Sequence, residues 1–224
     1  MSVDLELLRG KLIVSCQAYP GEPMRHPDTM AQIAQSVVAG GAAAVRLQGV
    51  EDIKAGAEVL DVPIIGIVKE GDEGVYITPS LGLAISCADA GAKIVALDGT
   101  DRTRADKRSF AETVSELKRA RDVRVMADCD SLSSAEHALA GGADILGTTL
   151  AGYTSAREKT SGPDFELLAS FVERFPGVPV IAEGRIHSPA DAKKALSLGA
   201  FSIVVGTAIT HPTSITSWFV DALD

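Results

Sequence analysis

The 224 residues are 46% hydrophobic but only 4% aromatic, so a sizeable core must be built from Ala, Val, Ile and Leu, as suits parallel strands buried on both faces. With 30 acidic against 21 basic residues the formal net charge is -9. This argues against nucleic acid or an anionic membrane as the main partner, but not against a small anionic substrate held by helix N-termini and an arginine or two.

Cys16, Cys87 and Cys129 form no CxxC pattern and are odd in number, so neither a disulfide framework nor a zinc site is expected, and a reducing cytoplasm is the simple reading. The N-terminal stretch carries Asp4 and Glu6 and a short apolar run, which predicts no signal peptide, and no run reaches the length of a membrane span.

Along the chain, short apolar runs rich in β-branched residues occur at 11–16, 43–48, 63–69, 93–98, 123–128, 143–148, 178–183 and 201–206. Each is too short for a typical helix and predicts a strand. Helical patterns lie between them. One covers 27–39. Another covers 133–140, with Ser133 as cap and Glu136 as its capping-box partner. A third covers 164–175, with apolar residues near a helix period. The last covers 188–198 and opens with Ser188-Pro189.

A weak repeat recurs as AGGAAAVRLQG, DAGAKIVALDG, AGGADILGTTL and SLGAFSIVVGT. Each reads as helix end, glycine cap, then strand. Eight strand–helix units close naturally into a single (β/α)8 barrel with a parallel sheet, here one domain over 1–224. An open doubly wound sheet usually shows a glycine-rich loop after its first strand, and residues 15–20 have none.

The strand C-terminal ends turn polar. They carry Cys16-Gln17, Arg46 and Gln48, Lys69, Asp98, Asp128, Thr148-Thr149, Glu183-Gly184-Arg185, and Gly206-Thr207. In a barrel these positions converge on one mouth, where active sites sit. Arg46 and Asp98 are candidates for a mouth salt bridge. His26, His137 and His187 are expected at the surface, and Cys129 is expected to be structural. The last two units each place glycine and a polar residue after a strand, a pattern suited to phosphate: Gly184 and Gly206 allow close approach, and Arg185 supplies charge. Trp218 and Phe219, on what reads as a final helix, are expected to pack on the barrel or to form a dimer contact.

These residues resemble the N-acetylmannosamine-6-phosphate 2-epimerase family. The matching pieces run in order through nearly the whole chain: IVSCQA (13–18), GEPM (21–24), VRLQGVEDI (45–53), PIIGIVK (63–69), VYITPS (75–80), AGAKIVALDGTDR (90–102), VMADCDS (125–131), GADILGTTLAGYT (142–154), PDFELL (163–168), VPVIAEGRIHSPADA (178–192) and GTAITHP (206–212). The resemblance implies a phosphate-binding barrel acting in sialic-acid breakdown. Lys69 and Glu183 would be its acid–base pair. Gln17, Arg46 and Asp128 would hold the sugar, and Gly184, Arg185, Gly206 and Thr207 would hold the phosphate. Departures include RLQG where RAQG is expected, DGTDR where DATDR is expected, Glu70 where a basic residue is common, and His211 where an arginine is usual near the phosphate.

The reaction so implied opens the sugar ring and exchanges the C2 proton beside the C1 carbonyl, with no redox cofactor and no metal expected. Lys69 would be a base whose pKa is lowered by confinement near Arg46. A Schiff-base aldolase acting through Lys69 on a phosphorylated keto acid, and a catalytically silent sugar-phosphate sensor, remain alternatives. A pentulose-phosphate epimerase would need a histidine/aspartate metal cluster that the sequence does not present.

Overall fold

The computed structural model describes residues 3–71 and 74–223. Its strands are β1 (Leu12–Cys16), β2 (Ala44–Gln48), β3 (Ile64–Ile67), β4 (Ile94–Asp98), β5 (Arg124–Asp128), β6 (Ile145–Gly147), β7 (Val180–Glu183) and β8 (Ser202–Val205). All pair in parallel in chain order, and β8 pairs with β1, so the sheet closes. The helices are α1 (Pro27–Ala39), α2 (Val50–Val59), α3 (Leu81–Asp89), α4 (Phe110–Ala120), α5 (Leu132–Ala140), α6 (Phe165–Arg174), α7 (Pro189–Ser197), the single turn α8 (Thr207–Thr210), and α9 (Pro212–Asp221). The architecture is the expected (β/α)8 barrel.

Side chains alternate across a strand, and that period of two organises the molecule. Ile13, Ala44, Ile65, Ile67, Ile94, Ala96, Met126, Ile145, Ile181 and Val204 fill the barrel interior, which Leu8 closes from below. The opposite parity, including Val45, Leu47, Val95, Leu97, Val125, Ala127, Leu146 and Ala182, packs outward under the helices. Continuing the inward parity toward the strand C-terminal ends reaches Gln17, Arg46, Lys69, Asp98, Asp128, Thr149, Glu183 and Gly206. The alternation that builds the core therefore also delivers the polar groups to one mouth.

The observed strands are shorter than the apolar runs. Ladder pairing in β3 stops at Ile67, and Lys69 lies beyond it in an isolated antiparallel bridge to Ile77. Ser188 caps α7 with Pro189 at its first turn, as expected. The cap of α5 is Ser131, not Ser133: its hydroxyl accepts from Ser134 N at 3.2 Å, and the Ser134 hydroxyl accepts from Ser131 N at 3.1 Å. Glu136 instead accepts from Arg174 at 2.9 Å.

Of the two placements expected for Trp218 and Phe219, close packing on the barrel is not the one observed. No α9 residue is buried, and Phe219 and Leu223 are 71% and 88% exposed. Trp218 contacts the His187 ring, 4.6 Å between centroids, rather than packing into the barrel wall. Beside β1 and β8 lies an apolar groove of ≈ 470 Å³ whose lining includes Leu12, Ala192, Leu196, Ile203, Val205 and Ile209.

Packing between sheet and helices leaves no room at Gly66. A Cβ there would lie 2.7 Å from Ala92 Cβ, 2.9 Å from Ile53 Cδ1 and 3.2 Å from Cys87 Cβ. Gly66→Ala should therefore destabilise by about 1–3 kcal/mol. Gly82→Ala, on a helix with open space around the new methyl, should be neutral or stabilise by up to about 1 kcal/mol. Thermal denaturation of the two variants would show opposite shifts; equal midpoints would contradict this account of the packing.

Candidate active site

The polar mouth encloses a cavity of ≈ 210 Å³. At its floor Arg46 crosses the barrel from β2. Its Nη1 and Nη2 donate to the two carboxylate oxygens of Asp128 on β5, at 3.0 and 2.6 Å. Nη1 also donates to Glu183 Oε2 on β7 at 2.8 Å. Arg46 is 1% exposed, Asp128 0% and the Glu183 side chain 11%. A buried guanidinium is tolerable only when paired, and here one cation serves two carboxyls. The salt bridge envisaged between Arg46 and Asp98 does not form. Asp98 sits level with Asp128 on the neighbouring strand, but Arg102 at 2.6 Å and the Thr100 hydroxyl at 2.6 Å take up its carboxylate.

This charge count sets the proton affinities. Burial raises Glu183 from its ordinary 4.5 to about 7, helped by the Asp128 charge and opposed by Arg46, Thr149 and Lys69. Burial, then repulsion from Arg46, lowers Lys69 from 10.5 to about 8, against the pull of Glu183 and Asp128. The Lys69 ammonium lies over the Tyr19 ring, 5.3 Å from its centroid. Because the strands close in chain order, β3 and β7 stand on opposite sides of the ring. Lys69 and Glu183 thus reach the cavity from opposite walls.

The other sequence candidates divide. Gln17 lines the cavity; its Nε2 donates to Ser15 Oγ at 2.6 Å, while its buried Oε1 has no partner among the described residues. Asp128 does not line the cavity. It lies behind Arg46 and Thr149, so it reaches a ligand through them. Gly184, Arg185, Gly206 and Thr207 all line it. Gly184 and Arg185 have φ of 111° and 55°, which turns the chain sharply after β7. The Arg185 guanidinium is committed elsewhere: it donates to Gly162 O at 2.9 Å, Ala151 O at 2.8 Å and Thr160 Oγ1 at 3.0 Å. Its side chain fastens the loop after β6 and over-determines the strained backbone. Gly206 approaches Ser15 so closely that a Cβ would lie 3.3 Å from Ser15 Cβ, and it caps α8 without a side chain.

His211 lines the cavity but is held by Glu22 at 2.7 Å and Ser214 at 2.8 Å. His26 and His137 are at the surface as expected; His187 is exposed but also stands on the cavity rim. Cys129 is fully buried, and burial raises its thiol well above the ordinary value, consistent with a structural role.

Sequence reasoning placed Thr149 at the mouth without giving it a role, and it missed the aromatic lining. The chain has three tyrosines, and Tyr19, Tyr76 and Tyr153 all line this cavity. Their scarcity was a usable signal, as was the inward parity of Thr149, four residues after Ile145. Among the described residues no cluster of His, Cys, Asp or Glu is arranged to hold a metal ion.

Comparison with known proteins shows the family. A family model described as "Putative N-acetylmannosamine-6-phosphate epimerase" (NanE) matches residues 30–224. A "Putative N-acetylmannosamine-6-phosphate 2-epimerase" of Cutibacterium acnes is 59% identical over 96% of this chain and 95% of that protein. A relative of the same description from Clostridioides difficile is 40% identical over 98% and 99%. Among solved structures, the N-acetylmannosamine-6-phosphate 2-epimerase from Clostridium perfringens superposes with a TM-score of 0.93 at 41% identity, covering 97% of this chain and 95% of that one. A thiamine phosphate pyrophosphorylase from Pyrococcus furiosus, TM-score 0.62 at 19% identity, shares the fold alone. The chain belongs to the NanE family of N-acetylmannosamine-6-phosphate epimerases.

Proposed function

We propose that this protein interconverts N-acetylmannosamine 6-phosphate and N-acetylglucosamine 6-phosphate by removing the C2 proton of the open-chain sugar from one face and returning a proton to the other. The observation that carries this reading is the matched pair of proton carriers on opposite walls. Inversion in either direction needs one group without its proton and the other with it. With ordinary pKa values of 10.5 and 4.5, the neutral-lysine, protonated-glutamate form would be about one in 10⁶ of the singly protonated pair. Burial raises Glu183 and lowers Lys69, bringing the two affinities together so that this form is far less rare. Both reactive forms are then populated near neutral pH, and neither direction is starved of its base.

Arg46 faces the same cavity and supplies positive charge for the oxygen that becomes negative when C2 loses its proton. The unpartnered Gln17 Oε1 offers an acceptor to the acetamido N–H or a hydroxyl. Gly184, Arg185, Gly206 and Thr207 take the phosphate through backbone N–H groups, so that remote binding orients C2.

We further infer a cytoplasmic homodimer. Its three cysteines are free and buried. The groove beside β1 and β8 lies where a barrel normally carries a covering helix, yet α8 is one turn, α9 exposes Phe219 and Val220, and Leu223 just beyond it is exposed too. The apolar face of α9 from a second copy is the cover we assign to that groove. Sedimentation should give a particle of twice the 23.3 kDa chain mass, and Ile209→Glu or Phe219→Glu should halve it. A native chain sedimenting as a monomer would remove this inference.

Three outcomes test the chemistry. Proton NMR of the reaction in deuterated water should show the product epimer carrying deuterium at C2; borohydride trapping of substrate on Lys69 without exchange would favour an aldolase, and binding without turnover a sensor. Lys69→Ala and Glu183→Gln should each lower kcat by about 10²–10⁴-fold with the fold retained, and native kcat in either variant would sink its role. The rate against pH should be bell-shaped. Below about 7 Glu183 takes a second proton onto the pair, and above about 8 Lys69 loses the last one. A rate flat from pH 6 to 9 would falsify the shared-proton account.

A further inference from the structure

We propose that Thr149 is a positioning residue whose hydroxyl holds Glu183 through both protonation states, donating to the carboxylate and accepting from the carboxylic acid. This rests on the reading of Glu183 as a proton carrier.

The geometry is a closed ring of two acceptor oxygens and two donor atoms. Thr149 Oγ1 lies 2.7 Å from Asp128 Oδ1 and 3.1 Å from Glu183 Oε2. Arg46 Nη1 lies 3.0 and 2.8 Å from the same two oxygens. Arginine can only donate, and an ionised carboxylate can only accept; the threonine hydroxyl alone can do both. With Glu183 ionised, the hydroxyl proton faces two acceptors and turns to the Glu183 carboxylate, while Asp128 keeps both of its Arg46 contacts. With a proton on Glu183 Oε2, that oxygen donates to Thr149, and the threonine proton turns to Asp128. The change is a rotation about the threonine C–O bond; no bond to the threonine oxygen forms or breaks, and the proton count of the ring changes only by the proton Glu183 exchanges with substrate.

Two further contacts fit this role. The neighbouring Thr148 hydroxyl accepts from Glu183 N at 3.1 Å and donates to Glu183 O at 2.9 Å, so consecutive threonines on one loop hold the backbone and the carboxyl of the same residue. Gly147 keeps the space open: a Cβ there would come 3.0 Å from Thr149 Oγ1 and 2.5 Å from Met126 Cε.

The test compares kcat, KM and the pH dependence of kcat/KM for the native enzyme, Thr149→Val, Thr149→Ala and Thr149→Ser, with Glu183→Gln measured alongside. Valine and alanine should lower kcat about ten- to a hundredfold while KM stays within about twofold. Losing a donor to the carboxylate should move the acidic limb of the profile up by about half to one pH unit. Serine should restore both. Alanine keeps the test open if valine prevents folding, which the thermal transition reads. Native kcat and an unmoved acidic limb in the valine and alanine variants would overturn the proposal, as would a serine variant as impaired as valine. Glu183→Gln separates the two levels: if it is inactive while Thr149→Val is native, the threonine role alone fails; if it keeps native turnover, the reading of Glu183 fails and takes the proposal with it.

Discussion

One guanidinium shared by two carboxyls decides the character of this site. Arg46 is shut away from water on β2, with Asp128 gripping it through both oxygens and Glu183 through one. Because the cation is one and the carboxyls are two, burial of the second carboxyl is not fully compensated, and Glu183 retains its proton to about pH 7. Burial, with the push of the same cation from the neighbouring strand, lowers Lys69 to about 8. Removing Arg46 would therefore do more than delete a contact. It would leave two buried carboxyls facing each other and reset the proton affinities of Glu183 and Lys69 at once.

The barrel makes that arrangement reachable from an ordinary-looking sequence. Each strand needs its inward residues apolar at the bottom and is free to be polar only at the top, where the interior opens. Ile65, Ile67 and Lys69 follow this pattern on β3, as do Ile181 and Glu183 on β7 and Ala44 and Arg46 on β2. For this reason the strands, their order and the polar mouth were legible in the sequence. Short apolar runs gave the strands, glycines after helices gave the punctuation, and the parity of each run gave the side on which its last residue lies.

What was not legible depends on which of several equivalent partners lies nearer in space. Asp98 and Asp128 end neighbouring strands at the same level, and no local pattern says which of them meets Arg46. Arg102, four residues along from Asp98, captures it locally and leaves Asp128 for the long-range pair. Arg185 shows the same ambiguity. Its place after a phosphate-type glycine suggests a ligand, but the loop after β6 folds back to offer two backbone carbonyls and a hydroxyl, which hold the guanidinium. The Ser131 cap was missed because two serine-led patterns overlap within four residues, and the earlier one pairs with Ser134. The cover of Trp218 and Phe219 stayed open between the barrel and a second copy, because an apolar helix reads alike whether its cover comes from its own chain or from elsewhere.

A reaction that inverts one carbon needs proton carriers on two faces, and a closed ring of eight strands in chain order places such carriers without special loops. Strands three and seven are diametrically opposed, so residues at equivalent heights on them face each other across whatever the mouth holds. An open sheet has one edge of converging strand ends and offers no such opposition. The requirement for facing carriers and the requirement that their proton affinities nearly match are then met by different parts of the same construction. The ring sets the first, and burial at the mouth, with the shared cation acting on both groups, sets the second.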